Sequence, residues 1–126
     1  MKRQLQIPVE FAEYVLKEGL VPEFKVLIAA KYITPGHFYR KSPQFDQFCE
    51  FVGYDKRTVL KHINHLVRLG WMGVEGGKQK YYVRSWNWFY TQEIFSGRRT
   101  ALFSSEDMLN FRAFLAGAVI NNKVLK

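Results

Sequence analysis

Arg57, Lys61, Asn64 and Arg68 stand four, three and four residues apart in the stretch DKRTVLKHINHLVRLG. On a helix turning about 100° per residue they share one face, with Lys56 at its exposed start. Val59, Ile63 and Leu66 fall on the opposite face, with Leu69 near it, which is the pattern of a helix that buries one side. The polar face suits a polyanion: an α-helix fits the major groove of B-DNA, where Arg and Lys reach guanine edges and Asn pairs with adenine. Leu60 is the oddity on that face. It could meet a thymine methyl, or be one of the isolated apolar residues that any surface carries.

The same segment holds His62 and His65, three apart, a spacing able to grip a metal ion. A third ligand would have to come from Cys49, His37 or a carboxylate, and no CxxC or HExxH accompanies them. No metal is therefore expected. His62, beside the apolar stripe, reads as a semi-buried side chain, and His65 as one facing phosphate or water. Cys49 reads as a small hydrophobe, because a redox role needs an exposed, electropositive setting. No glycine-rich phosphate loop, nucleophile elbow or catalytic carboxylate pair is present, so neither an enzyme nor a cofactor is expected.

Charge placement strengthens the polyanion reading. The 126 residues carry a formal +8 and an isoelectric point near 9.7. Residues 36–86 hold nine Lys and Arg against four acids, five of the eight surplus charges. Arg40, Lys41, Lys78 and Lys80 lie in that segment beside the helical cations. A basic balance favours DNA, RNA or an acidic surface; the plainer alternative is a solvated face that keeps the chain soluble. The length suits one domain with one sizeable core. A single cysteine excludes an internal disulfide and fits a reducing compartment. The start, interrupted by Glu10 and Glu13, lacks a signal-peptide core. No run of about 18 apolar residues exists to span a membrane. The expectation is a cytoplasmic protein, nucleoid-associated if bacterial.

The elements that must position these side chains are legible in part. Residues 8–19 suggest a short helix ending at Gly19, and residues 22–32 a second, with Phe24, Leu27, Ile28 and Ile33 as its apolar stripe. HFYRK suggests a short strand. Ser42-Pro43 is a helix start, and the helix over 43–52 should bury Phe45, Phe48, Cys49 and Val52. Gly53-Tyr54 makes a turn, Asp55 caps a helix over 56–69, and Gly70 closes it. Two β-prone runs about Glu75-Gly76-Gly77-Lys78 predict a hairpin. The state of NWFYTQEIFSGRRTALF is not fixed by its pattern. A last helix opens on the capping box Ser104-x-x-Asp107 and runs to about Asn121.

That order, together with CEFVGYDKRTVLKHINHLVRLGWM, resembles a winged helix-turn-helix domain. A small residue, Cys49, precedes the turn glycine Gly53 by four, and Asp55 opens the second helix with Thr58-Val59 three residues on. Ile63, Leu66 and Leu69 recur inward before Leu-Gly-aromatic. The resemblance covers residues 22–86. It implies a mainly α fold with a small β-hairpin wing (α+β class), here extended by an N-terminal and a C-terminal helix. Its members include bacterial transcriptional regulators and replication initiators of plasmids and phages.

In such a domain the second helix enters the major groove start-first, nominating Lys56, Arg57, Leu60 and Lys61 for base edges. Thr58, Asn64, His65 and Arg68 continue that interface, and the wing, with Lys78 and Lys80, meets backbone or minor groove. Arg40 and Lys41 extend the same surface. The function expected is duplex-DNA binding, in transcriptional regulation. The alternatives are a replication or mobile-element protein of the same fold, and an interaction module that does not bind DNA.

Residues 87–126 lie outside the minimal pattern. The aromatics of SWNWFYTQEIF could stack on single-stranded bases, or pack a core. Met108, Phe111, Leu115 and Ala118, widened by Phe114, Val119 and Ile120, form a stripe that serves a homodimer or closes the chain's own core.

Overall fold

The computed structural model describes residues 5–75, 79–93, 97 and 99–124, with the backbone alone at 122–124. The chain is mostly helical with small antiparallel sheets, an α+β class. In order it forms β1 (Leu5–Pro8), α1 (Val9–Glu18), α2 (Val21–Ile33), β2 (His37–Tyr39), α3 (Pro43–Val52) and α4 (Lys56–Arg68). There follow β3 (Met72–Glu75), β4 (Lys80–Val83), α5 (Trp86–Thr91), β5 (Thr100–Phe103), a 3₁₀ turn (Ser105–Asn110) and α6 (Phe111–Val124). These divide into two compact units, one of Pro22–Ser85 and one of Met1–Val21 with Trp86–Lys126.

In the 22–85 unit, α2 is the inner helix. Phe24, Val26, Leu27, Ile28, Ala29 and Ala30 are all fully buried, so it is enclosed almost all round rather than along the single stripe expected. Ile33, assigned to that stripe, is half-buried at its end. Helix α3 starts where Ser42 predicts: the Ser42 Oγ accepts from the Phe45 amide at 3.1 Å, with Pro43 at the first helical position. It ends at Gly53, whose φ of 82° is the left-handed conformation that glycine takes without a Cβ penalty. Two residues later Asp55 starts α4, its Oδ1 accepting from the Thr58 amide at 2.7 Å.

Strands β2, β4 and β3 lie side by side, antiparallel, with Phe38 opposite Tyr81 and Tyr81 opposite Val74. Of the residues that join β3 to β4, Gly76, Gly77 and Lys78 fall outside the described set. Phe38 is the hub of the sheet's inner face. Its ring centroid lies 6.1 Å from Phe45, 5.4 Å from Phe48 and 5.4 Å from Tyr81. Helix α4 buries Val59, Ile63 and Leu66 completely. Leu69, read as inward, is instead 38% exposed, because the helix has ended and Trp71 and Met72 take over the burial.

The other unit uses strands that periodicity did not reveal. β1 pairs antiparallel with β5, Ile7 opposite Ala101, although 94 residues of chain separate Leu5 and Thr100. Of the aromatic run, Phe89 is core: it and Phe11 are fully buried, 4.9 Å apart, with the half-buried Trp86 5.8 Å from each. The Trp86 indole N–H donates to the Gln6 carbonyl at 2.9 Å. The last helix opens as the capping box predicts, Asp107 Oδ2 accepting from the Ser104 amide at 2.9 Å. Its first six residues are nevertheless 3₁₀, and the α-helix starts at Phe111. Met108, Phe111, Leu115 and Val119 are buried, α6 packing on α1 inside this unit. Among the described residues no helix is long and apolar enough to cross a membrane.

Removing the hub ring should cost most. Phe38→Ala deletes a fully buried aromatic in contact with three others and is expected to destabilise by about 3–5 kcal/mol. Denaturant unfolding of the purified variant measures this; a loss below about 1 kcal/mol would show that the sheet is held elsewhere.

Candidate nucleic-acid interface

The polar face of α4 is on the surface. Lys56, Arg57, Lys61, Asn64 and Arg68 are exposed, directly opposite the buried Val59, Ile63 and Leu66. Thr58 and Leu60 are half-buried at the edge between the two faces. Leu60 is not a stray surface leucine. It lines an open cleft of about 750 Å³ together with Phe45, Arg40, Lys41, Lys56 and Arg57. The fold thus brings the segment before α3 and the first turn of α4 around one concavity with four cations at its edge. An apolar floor under converging cations lowers the local polarity and lengthens the reach of their field.

One acid intrudes. Asp46, on α3, accepts from the Lys56 ammonium at 2.6 Å across the mouth of this cleft. The pairing raises the Lys56 pKa, the hydrogen bond contributing most. Both side chains are more than half exposed, so the contact is screened by salt and is easily exchanged for another anion. Asp55 is occupied differently. Its hydrogen bonds from the Thr58 amide and hydroxyl hold its carboxyl below the usual carboxylate range.

His65, read as facing phosphate or water, turns one nitrogen inward. Its Nδ1 lies 3.0 Å from Oε2 of Glu23, a nearly buried carboxylate on α2. His62 Nδ1 lies 3.9 Å from the other oxygen, and its ring is 5.7 Å from Tyr54. The two histidines share a carboxylate that latches α4 to α2. Among the described residues no group of three or more His, Cys, Asp and Glu is arranged to hold a metal ion. Cys49 is buried, and desolvation pushes its thiol up to about 11, leaving almost no thiolate near neutral pH.

The remaining candidates are dispersed. Lys78 lies outside the described residues. Lys80 sits on β4 with its ammonium 5.7 Å from the Tyr39 ring centroid and 5.4 Å from that of Tyr82, rather than in the cleft. Sequence reasoning overlooked Asp46, Glu23, Tyr39 and Tyr82. The two tyrosines carried a signal, each adjoining a strand residue of the opposite face, Phe38 and Tyr81. Asp46 and Glu23 carried none, because their partners are distant in sequence or on another element. Compared with protein-family models, curated proteins and solved structures, the chain matches none.

The latch has a pH signature. Burial is the main cause holding His62 below the usual histidine range, with the Lys61 and His65 charges adding and Glu23 opposing. The unfolded chain therefore takes up a proton that the folded chain refuses. Stability present above about pH 6.5 should be lost as pH falls through the unfolded-state value. Denaturant unfolding at a series of pH values should show this slope, and His62→Gln should flatten it; an unchanged slope would assign the proton uptake to another group.

Proposed function

We propose that the 22–85 unit is a winged helix-turn-helix that binds duplex DNA, with α4 as the groove-reading helix and the β3–β4 hairpin as the wing. The observation that carries this reading is the complete segregation of α4. Three apolar residues on one side have no exposure, and five cationic or amide side chains on the other are all at the surface. The cleft lined by Arg40, Lys41, Lys56 and Arg57 supports it further, since a phosphate backbone beside the groove needs cations there. Lys56, Arg57, Lys61 and Asn64 are assigned to base edges, with Leu60 on a thymine methyl. Arg40, Lys41, Thr58 and Arg68 are assigned to phosphates, with His65 reaching outward through its second nitrogen. Lys78 and Lys80 belong to the wing.

The role proposed is transcriptional regulation; replication or mobile-element DNA would be read by the same face. No catalytic step is assigned to any residue. A homodimer through α6 remains part of the proposal, but its apolar stripe is turned toward α1. The exposed Ile120 on α6, with Leu109 in the 3₁₀ turn before it, is offered to a second copy.

Binding to mixed-sequence duplex should weaken with salt at a log–log slope of about −0.9 for each phosphate neutralised. On mixed sequence, where no preferred base is offered, Lys56, Arg57 and Lys61 meet phosphates instead, so Lys56→Ala/Arg57→Ala/Lys61→Ala should remain folded, lose affinity and reduce that slope by about two to three. A wild type that ignores duplex DNA at low salt would reject the reading and leave α4 as scaffold.

Asp46→Asn tests the intruding acid. Removing its charge releases Lys56, so duplex binding should tighten at low salt and the slope steepen by about one. Unchanged affinity in the same titration would remove Lys56 from the contact surface.

A further inference from the structure

The solvent face of the three-stranded sheet carries two tyrosines, beside Lys80 of the wing, that the duplex reading does not use. Side chains alternate across a strand. With Phe38 and Tyr81 turned to the core, Tyr39 of β2 and Lys80 and Tyr82 of β4 share the outer face. Tyr39 is 46% exposed, high for an aromatic ring. Tyr82 lies opposite Gly73, the one position of β3 without a side chain. A Cβ placed there would stand 3.5 Å from Tyr82 Cδ2 and 3.5 Å from an Arg84 guanidinium nitrogen, so ring and guanidinium lie across bare backbone. The Tyr82 hydroxyl donates to Glu75 at 2.8 Å, which fixes the half-buried ring by its tip. Between the rings stands Lys80, with its ammonium within 6 Å of both centroids.

We propose that this face is a stacking platform for the unpaired bases of single-stranded DNA, with Tyr39 and Tyr82 supplying the rings and Lys80 the phosphate contact. Two rings fixed to a rigid sheet with a cation between them match the alternating π-faces and anions of a single strand. A duplex hides its base faces and could use only the charge. The platform is on the side of the sheet away from Phe38 and its α3 contacts, so it is separate from the cleft at the start of α4. Only the choice of DNA over RNA rests on the duplex reading. The stacking geometry stands without it.

The test is fluorescence anisotropy at low salt with a labelled oligothymidylate of about 20 nucleotides, its oligouridylate counterpart and a mixed-sequence duplex. Wild type should bind the oligothymidylate, and Tyr39→Ala/Tyr82→Ala should weaken this by about tenfold or more. Tyr39→Phe/Tyr82→Phe, which keeps the rings, should bind like wild type. The alanine variant should keep its duplex affinity, while Lys56→Ala/Arg57→Ala/Lys61→Ala should retain the ring-dependent part of single-strand binding. Single-strand binding that depends on the rings, in a protein that ignores duplex, would uphold the platform and reject the duplex reading. The platform is overturned if wild type does not bind the oligothymidylate. It is equally overturned if a folded alanine variant binds within about twofold of wild type, or if the phenylalanine variant loses as much as the alanine one. A preference for oligouridylate overturns the assignment to DNA.

Discussion

Both surfaces of the 22–85 unit depend on one aromatic contact, that of Phe38 with Phe45, Phe48 and Tyr81. A strand presents successive side chains to opposite faces, so burying Phe38 and Tyr81 leaves Tyr39, Lys80 and Tyr82 no choice but the outside. Burying Phe45 and Phe48 sets the rotation of α3 about its own axis. That rotation places Asp46 where it meets Lys56, and it aims the Gly53 turn from which α4 departs. The burial of four large rings in one cluster is strong enough to impose these orientations on polar residues that have no preference of their own.

Around α4 the electrostatics are divided by the helix itself. Its inner edge faces Glu23, the buried carboxylate that receives His62 and His65, while its outer face carries Lys56, Arg57, Lys61 and Arg68. A carboxylate placed inside costs desolvation, which the hydrogen bond with His65 offsets, with His62 3.9 Å from the other oxygen. The gain is orientation: rolling α4 against α2 would break the contact of His65 with Glu23. The cations outside need no such support, because water solvates them.

The second unit uses several of its aromatic residues for packing. Trp86, Phe89 and Phe11 meet edge-on or tilted, Phe103 meets Phe111 and Phe114 edge-on, and the Trp86 indole finds a carbonyl. Rings that are enclosed with their polar tips satisfied are core, whatever their density in the sequence. Exposure separates them from Tyr39, and exposure is a tertiary property.

Local rules of chain chemistry were enough for much of this. Ser42-Pro43, Asp55 and Ser104-x-x-Asp107 mark helix starts because their side chains satisfy amides within three residues. Val59, Ile63 and Leu66 mark the buried side of α4 because a helix repeats on itself at short range. β-prone runs flanking Glu75-Gly76-Gly77-Lys78, and HFYRK before them, likewise carried the strands of the three-stranded sheet. What the sequence could not determine is whatever joins residues far apart in the chain. The pairing of β1 with β5 is a backbone contact that no side-chain period encodes. The stripe of Met108, Phe111 and Leu115 announced a partner without naming α1. The cleft under Leu60, the grip of Glu23 on His62 and His65, and the intrusion of Asp46 each need two elements brought together. Local periodicity says which side of an element is apolar; only packing decides what that side, and therefore the opposite one, will meet.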